Sequence, residues 1–325
     1  MSSTDKSINK IILNTLVIAL SVIISLVSIE FLLTLKNSNM KNYDIEMWKY
    51  SKELKFKSPN PILGHEHIPS KAAKLQNVDI RLNEYGMRGA KIGDLLNYDR
   101  KILFLGSSIT LGWGVDEKEV FTSLLQEEFT KSSQSTLVLN AGIGNYNTER
   151  YVELFFTKLN SLGVTDIVIH YFINDAEELN SGRTNWLLKN SQLAATIWMA
   201  FQKLSFFGED TSLVRHYKNV YEHDSDGFKK MRRSLEKISD YAKSNQVNLY
   251  LTIIPDVHNL AEYPFHFIHE SMEKIAEELN FKFLDLYPAF AAIDEKDIWA
   301  MPGDPHPNAL GHRIMKEQIY PILIE

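Results

Sequence analysis

The sequence predicts an α/β fold preceded by one transmembrane helix, and two observations lead to this. From about residue 98 onward, short apolar segments rich in Val, Ile and Leu alternate with segments of helical periodicity. Near the amino terminus, the 19 residues between Lys10 and Glu30 carry no charge. Because strands that alternate with helices form a parallel sheet covered on both sides, we predict a flavodoxin-like three-layer sandwich with a central parallel sheet.

Five strands account for the predicted sheet. Most are near-continuous apolar runs, which is typical of strands buried on both faces. They lie at residues 101–106, 136–142, 166–173, 247–255 and 281–287. Helical patterns fill the intervals between them.

The amino-terminal apolar run predicts a membrane anchor. As a helix, its 19 uncharged residues would extend roughly 28 Å, about the thickness of one hydrocarbon core. A cleaved signal peptide is the rival interpretation, but its apolar region is typically about 7 to 15 residues long. We therefore divide the chain into a tail (1–10), an anchor (11–34), a stem (35–97) and a domain (98–325).

The orientation of this anchor is not settled by charge. Lys6 and Lys10 precede it, whereas five lysines follow it within residues 36–55. The positive-inside rule would then keep the large domain in the cytoplasm, although the rule weakens for long translocated domains.

Composition excludes several classes of function. The 325-residue chain is 44% hydrophobic, enough for a sizeable core, and its net charge of −6 gives no basic footprint for nucleic acid. The absence of cysteine excludes disulfides, thiolate catalysis and zinc-thiolate sites. We expect no cofactor and no metal site.

Polar residues follow the predicted strands at the edge where ligands bind in such sheets, beyond the carboxyl ends of the strands. Ser108 follows the first strand, the block 140–145 (NAGIGN) closes the second, and Asn174 follows the third. Asp304 and His306 lie in a loop near the carboxyl terminus. A serine, an imidazole, a carboxylate and amide donors are the groups that nucleophilic acyl transfer requires.

Structural explanations compete with this interpretation. Ser108 could merely cap the following helix, as serine often does. Asn174 and Asp175 could form an ordinary turn. His312 offers a second imidazole six residues after His306, although it is expected on a helix.

Taken together, GSSIT at 106–110, the 140–145 block, Asn174-Asp175 and DPHP at 304–307 resemble, in the same order, the motifs of the SGNH hydrolases, also called the GDSL esterase/lipase superfamily. The resemblance covers residues 98–325. It implies that Ser108 is the nucleophile, His306 the general base and Asp304 the carboxylate that orients the imidazole. It also implies an oxyanion hole, whose donors are the backbone N–H of Ser108, the loop of Gly144 and Asn145, and the side chain of Asn174.

The chain departs from the family pattern at three places. Ser107 stands where the family usually has aspartate, and Asn145 aligns with the usual oxyanion glycine, one residue after Gly144. Asp304 lies two residues before His306, whereas the family's carboxylate lies three before its histidine. A Ser-His dyad therefore stays open beside the triad.

A long insert at about 176–225 follows Asn174 and is rich in aromatic residues. Its stretch NWLLKNSQLAATIWMAFQKLSFF carries Trp186, Trp198, Phe201, Phe206 and Phe207. They could form a lid or aromatic wall beside the site, pack into the core, or contact a bilayer.

The architecture of span, stem and GSSIT domain resembles membrane-anchored bacterial members of the superfamily that are associated with envelope polysaccharides. The resemblance implies an extracytoplasmic (periplasmic) serine esterase that acts on O-acyl, in particular O-acetyl, esters of an envelope or extracellular carbohydrate. An acylated carbohydrate or other small ester and the membrane are the expected partners, and the oligomeric state is left open. A polysaccharide O-acetyltransferase and a noncatalytic binding or assembly protein are the alternatives.

Overall fold

The computed structural model describes residues 3–132, 135–179, 186–205, 213–301 and 306–325, and gives only the backbone for 3–6 and 202–205. It divides into two compact units. Unit 1 comprises Met1–Lys49 and Arg183–Glu209, and unit 2 comprises Tyr50–Gly182 and Asp210–Glu325.

The helices of the described residues are α1 (Ser3–Lys36), α2 (Tyr43–Glu53), α3 (Ser108–Leu111), α4 (Phe121–Lys131), α5 (Thr148–Leu154), α6 (Trp186–Asn190), α7 (Gln192–Ser205), α8 (Leu213–Val220), α9 (Asp226–Asn245), α10 (His266–Glu278), α11 (Tyr287–Phe290), α12 (Glu295–Ile298) and α13 (Ala309–Ile324). The strands are β1 (Lys55–Lys57), β2 (His65–His67), β3 (Ala72–Leu75), β4 (Val78–Arg81), β5 (Arg100–Gly106), β6 (Thr136–Gly142), β7 (Asp166–Tyr171), β8 (Asn248–Ile253) and β9 (Lys282–Asp285).

A five-stranded parallel sheet forms the centre of unit 2, in the order β6-β5-β7-β8-β9. Numbered along the chain this is the order 2-1-3-4-5 of flavodoxin-like sheets. Strand β7 is buried along its whole length and β5 along most of it, which agrees with a sheet covered on both faces. Helix α4 packs on β6 and against α13, while α5 packs against α9. The predicted fold class is confirmed.

Two antiparallel hairpins, β1-β2 and β3-β4, lie in the segment expected to be a stem. They are short, but several apolar residues in and beside them are buried, including Leu54, Leu63 and Ile80 at 0% exposure. Both hairpins therefore belong to unit 2, in its first stretch, Tyr50–Gly182.

Two glycines let the chain turn sharply where β5 ends. Gly106 pairs with Gly142 of β6 and with His170 of β7. A Cβ atom on Gly106 would lie 2.7 Å from the carbonyl oxygen of His170, and one on Gly142 would lie 2.2 Å from the backbone nitrogen of Leu111. Helix α3 can pack directly on the end of β6 only because Gly142 has no side chain.

In unit 1, α1 is the dominant element. Residues 7–39 have a mean hydropathy of 2.7 in their most apolar window, which is long and apolar enough to cross a membrane. The side chains of this window are exposed in the structure. By length and composition, α1 is a candidate membrane span or signal sequence.

Candidate active site

Ser108 is the first residue of α3, two residues after β5 ends. Its side chain is half-buried, whereas the next three residues are buried. Because the first N–H groups of a helix have no partner within the helix, this position places both a hydroxyl and backbone donors at the carboxyl edge of the sheet.

His306 lies opposite, in a loop held by backbone pairing. The N–H of Ala300 donates to the His306 carbonyl at 2.8 Å, and the N–H of Asn308 donates to the Ile298 carbonyl at 2.7 Å. The Asn308 side chain then caps α13. These contacts bring His306 Nε2 to 2.7 Å from Ser108 Oγ, across 198 residues of sequence.

The two other residues proposed for this loop differ in their positions. Asp304 lies outside the described residues. His312 is buried on α13, where its ring stacks on Phe121 and its Nδ1 accepts the Phe121 N–H at 3.2 Å. Burial holds the pKa of His312 well below its ordinary value. His312 is therefore a neutral core residue.

The loop after β6, which carries the expected oxyanion donors, is held through the Gly144 peptide. The Gly144 N–H donates to the hydroxyl of Tyr50 at 2.9 Å. Its carbonyl accepts from Lys55 Nζ at 2.7 Å and bonds to His65 Nε2 at 3.1 Å. The next residue, Asn145, is exposed and has a φ of 63°. The N–H groups of Gly144 and Asn145 were both expected as oxyanion donors, but the Gly144 N–H already donates to the side chain of Tyr50.

Lys55 has a buried amino group and is only 8% exposed. Burial, and then the charge of Arg150, hold the pKa of Lys55 well below its ordinary value. Its Nζ also lies 4.0 Å from the centre of the Tyr50 ring. The Gly144 carbonyl and this aromatic face are the groups that compensate the desolvated charge.

Asn174 lies in a tight loop three residues after β7. It is half-buried, and its Oδ1 is buried with no hydrogen-bond partner among the described residues. The neighbouring Asp175 is fully buried and accepts the Phe172 N–H at 3.1 Å. Burial raises the pKa of Asp175 well above its ordinary value, while contacts that include the Ser107 hydroxyl lower it. Ser107 thus contributes to this turn from the position before Ser108.

Arg88 supports α3 from the other end. Its guanidinium is buried and donates to the carbonyls of Leu111, Gly112 and Val115 at 2.5 to 2.7 Å. These carbonyls include the end of the helix that begins at Ser108, where a cation is favoured by the backbone dipoles.

The structure therefore brings Ser108 and His306 together and places the Gly144–Asn145 loop and Asn174 on segments that leave the same sheet edge. Tyr50, Lys55 and His65 were not predicted as site residues. The sequence gives no signal for Lys55, which lies in a stretch with three other charged residues, Lys52, Glu53 and Lys57. Arg88, in the segment 83–89 (NEYGMRG), was not predicted as a site residue either.

Of the five aromatic residues predicted to matter in the insert, three lie within the described residues. Trp186, Trp198 and Phe201 are 78%, 50% and 64% exposed, so these rings are not core residues in the structure. Phe206 and Phe207 lie outside the residues whose side chains are described.

The family of GDSL-like lipases/acylhydrolases matches residues 104–314, about two thirds of the chain. No curated protein matches the chain. Similar solved structures include a psychrotrophic esterase, EstA, from Pseudoalteromonas sp. (17% identity, 70% of this chain and 97% of that chain, TM-score 0.44). They also include a lipase/acylhydrolase from Enterococcus faecalis (18%, 69% and 95%, 0.45) and a two-domain esterase active on acetylated mannans (19%, 71% and 50%, 0.45).

The family match spans the segment that contains the serine turn, the loop after β6, the turn after β7 and the histidine loop. The chain belongs to the GDSL-like lipase/acylhydrolase family and is an acyl-ester hydrolase.

Proposed function

We propose that this hydrolase is a membrane-anchored serine esterase in which Ser108 is the nucleophile and His306 the general base. The observation that carries the proposal is the 2.7 Å contact between His306 Nε2 and Ser108 Oγ. This distance lies within hydrogen-bond range, and an adjacent base is what a serine hydroxyl needs to react near neutral pH.

The reaction proceeds in two halves. Ser108 Oγ attacks the ester carbonyl carbon while its proton passes to His306 Nε2, and the tetrahedral intermediate collapses by breaking the bond to the alcohol oxygen, which takes that proton. Water then attacks the acyl-serine with His306 again as base, releasing the carboxylic acid and restoring the Ser108 hydroxyl. Asp304 is the proposed carboxylate that orients His306 and stabilises its imidazolium.

The developing oxyanion needs donors that the structure does not already use. We assign this role to the backbone N–H groups of Ser108 and Asn145 and to the side-chain amide of Asn174. Gly144, whose N–H donates to Tyr50, instead fixes the direction of the loop. Each such donor typically contributes about 10²- to 10³-fold to turnover.

An active-site probe tests the nucleophile. A fluorophosphonate should label the wild-type protein, and Ser108→Ala should abolish labelling while the protein stays folded. Ser107→Ala is the matched control and should retain most of the labelling, because its hydroxyl supports the turn. Undiminished labelling of Ser108→Ala would contradict the assignment.

Turnover on a small acetyl ester tests the base and its carboxylate. His306→Ala should lower turnover by about 100- to 10,000-fold. Asp304→Asn should cost orders of magnitude if the triad operates, and less than about tenfold, or roughly 1.4 kcal/mol, if a Ser-His dyad does. If only His312→Ala lowered turnover, His312 and not His306 would be the general base.

The substrate class we propose is an O-acetylated carbohydrate of the envelope or outside the cell. Its support is the resemblance of the span, stem and GSSIT architecture to members associated with envelope polysaccharides. Acetylated mannan and acetyl xylan are suitable first substrates. Released acetate indicates hydrolysis, whereas an acetylated sugar acceptor would indicate transfer, because both reactions share the acyl-serine intermediate.

We also propose that residues 11–34 anchor the protein with its catalytic domain (98–325) outside the cytoplasm. The support for the anchor is the length and apolar character of α1. The support for the orientation is the resemblance to membrane-anchored members associated with envelope polysaccharides. Protease added to intact spheroplasts should degrade the carboxyl-terminal domain. Protection until lysis would place the domain in the cytoplasm.

A further inference from the structure

Helix α7 of the insert is unusually apolar for an element with exposed side chains. Residues 192–202 (QLAATIWMAFQ) contain no charged residue. The ten residues from Gln192 to Phe201 form an apolar helix about 15 Å long, roughly half the thickness of a hydrocarbon core. The helix is therefore too short to cross a bilayer and has an apolar surface that water does not favour.

The amino terminus of α7 is bound by Glu30 of α1. One carboxylate oxygen of Glu30 accepts the N–H of Gln192 at 2.7 Å, and the other accepts the N–H of Leu193 at 3.0 Å and the hydroxyl of Ser191 at 2.8 Å. A carboxylate at this position satisfies N–H groups that have no partner within the helix and interacts favourably with its dipole.

The covered part of α1 identifies where the two helices meet. Glu30 and Leu33 on α1, and Asn37 directly after it, are spaced three and four residues apart and are less exposed than their neighbours, and the Asn37 side chain donates to Gln192 at 3.1 Å. The apolar residues 11–29 before this stripe are exposed. The contact with α7 therefore lies at the carboxyl-terminal end of the apolar run, where that run would leave the hydrocarbon core.

The exposed surface of α7 is one continuous apolar face. Ile197, Trp198 and Phe201 are 48%, 50% and 64% exposed, whereas Gln192 and Ala195 are buried. Spacings of one, three and four residues place the three exposed side chains on the same side of the helix. Tryptophan on such a face is typical of helices that lie in the membrane-water interface.

We propose that α7 is an interfacial membrane helix, bound to the anchor through Glu30, with Ile197, Trp198 and Phe201 in the boundary between lipid headgroups and acyl chains. The inference rests on the proposed anchoring of α1. The occupant of this face is the phospholipid bilayer, because α7 is bound at its start to the carboxyl-terminal end of the apolar run of α1, where that run would leave the hydrocarbon core.

Spin labelling tests this directly, because the native chain has no cysteine and each single-cysteine variant carries one label. Ile197→Cys, Trp198→Cys and Phe201→Cys would each be labelled in the full chain and reconstituted into phosphatidylethanolamine/phosphatidylglycerol vesicles. Relaxation by oxygen should exceed relaxation by a water-soluble nickel chelate at all three positions. Ile18→Cys reports on the anchor, and Lys237→Cys, in unit 2, reports on water.

Different results would overturn the interfacial position of α7 and the anchoring of α1. Aqueous accessibility at 197, 198 and 201 together with lipid exposure at 18 would overturn the interfacial helix and leave the anchor intact. Aqueous accessibility at 18 would overturn the anchoring itself. Dipolar broadening that disappears on dilution with unlabelled chain would show that a second copy covers the face, which also overturns the proposal.

A variant of Glu30 tests the attachment. Glu30→Ala should raise the mobility of the label at 198, because the N–H groups of Gln192 and Leu193 lose their acceptor. Glu30→Gln is the matched control, since its amide retains one acceptor oxygen, and it should show a smaller effect. Unchanged mobility in Glu30→Ala would contradict the role of Glu30.

Discussion

Lys55 shows how a residue outside the reacting atoms can determine the geometry of the site. A buried ammonium is retained only where fixed dipoles compensate its desolvation, and here the main dipole is the Gly144 carbonyl at 2.7 Å. This bond orients the peptide that precedes Asn145. Lys55 is thus a positioning residue for the proposed oxyanion donor.

Replacement of Lys55 should therefore affect turnover more than binding. We expect Lys55→Met to lower kcat by about 10- to 100-fold with little change in KM. Without Lys55 the Asn145 N–H would point away from the oxyanion, and this donor stabilises the transition state more than the bound substrate. Steady-state kinetics on an acetyl ester, together with a thermal unfolding curve, measure this. Lys57→Met, two residues away and exposed on the same strand, is the matched control and should leave kcat unchanged. A rise in KM alone would contradict a positioning role.

At the scale of elements, α3 is four residues long and depends on support from outside. Arg88 binds its carboxyl end, and the missing side chain of Gly142 lets it pack on β6. An isolated turn of helix is unstable in water, so these tertiary contacts fix the direction of Ser108.

We expect Arg88→Met to destabilise the protein by about 3 kcal/mol or more, because three buried carbonyls lose charged donors. Urea unfolding measures the stability, and the rate of fluorophosphonate labelling reports on Ser108. Arg81→Met is the control: Arg81 is 56% exposed at its side chain and pairs with Glu117 at the surface, where a salt bridge contributes little. Equal stability losses in the two variants would contradict the role of Arg88.

With the exception of β9, which has four residues and was predicted, the strands that the sequence predicts are longer than those that it misses. Strands β5 to β8 have six or seven residues and strongly apolar patterns, so their periodicity is visible. Strands β1 to β4 have three or four residues and include His65, Glu66 and Lys74. Their burial depends on contacts distant in sequence, which no local pattern records.

The same distinction holds for the candidate site. Ser108 and His306 follow recognisable motifs, and their contact was expected. Lys55 is polar in sequence and buried in the structure, and only the completed fold gives it the Gly144 carbonyl as a partner. The role of Asp304 stays a prediction.

At the scale of the whole molecule, buried histidines should make stability depend on pH. Burial lowers the pKa of His65 to about 2 and of His67 and His170 to about 3, and holds that of His312 well below its ordinary value. In the unfolded chain these groups titrate near 6.5. Their full contribution to stability is present above that value and is lost as the pH falls below it, because only the unfolded state gains protons.

We expect the urea midpoint to fall steeply between about pH 6.5 and 5. Over this range, each histidine that stays neutral in the folded state lowers the free energy of unfolding by up to about 2 kcal/mol. Asp175 acts in the opposite direction, because its raised pKa favours the folded state as the pH falls. It is a single group, however, whereas four histidines lower the stability. His170→Asn, whose side chain can still bond to Thr252, should reduce the number of protons taken up on unfolding by about one. The dependence of stability on pH should then be weaker by that amount. A midpoint that is constant from pH 7 to 5 would contradict neutral burial of these rings.

Unit 1 is built from two separate stretches of the chain, and this affects how a water-soluble enzyme can be prepared. Truncation of residues 1–49 alone would remove Glu30 from the start of α7 and leave the helix that carries the exposed Trp198 and Phe201 without this partner. Such a shortened protein would carry a bare apolar helix and would aggregate. A soluble catalytic unit therefore requires a second excision, of residues 183–209, with a short polar linker in their place.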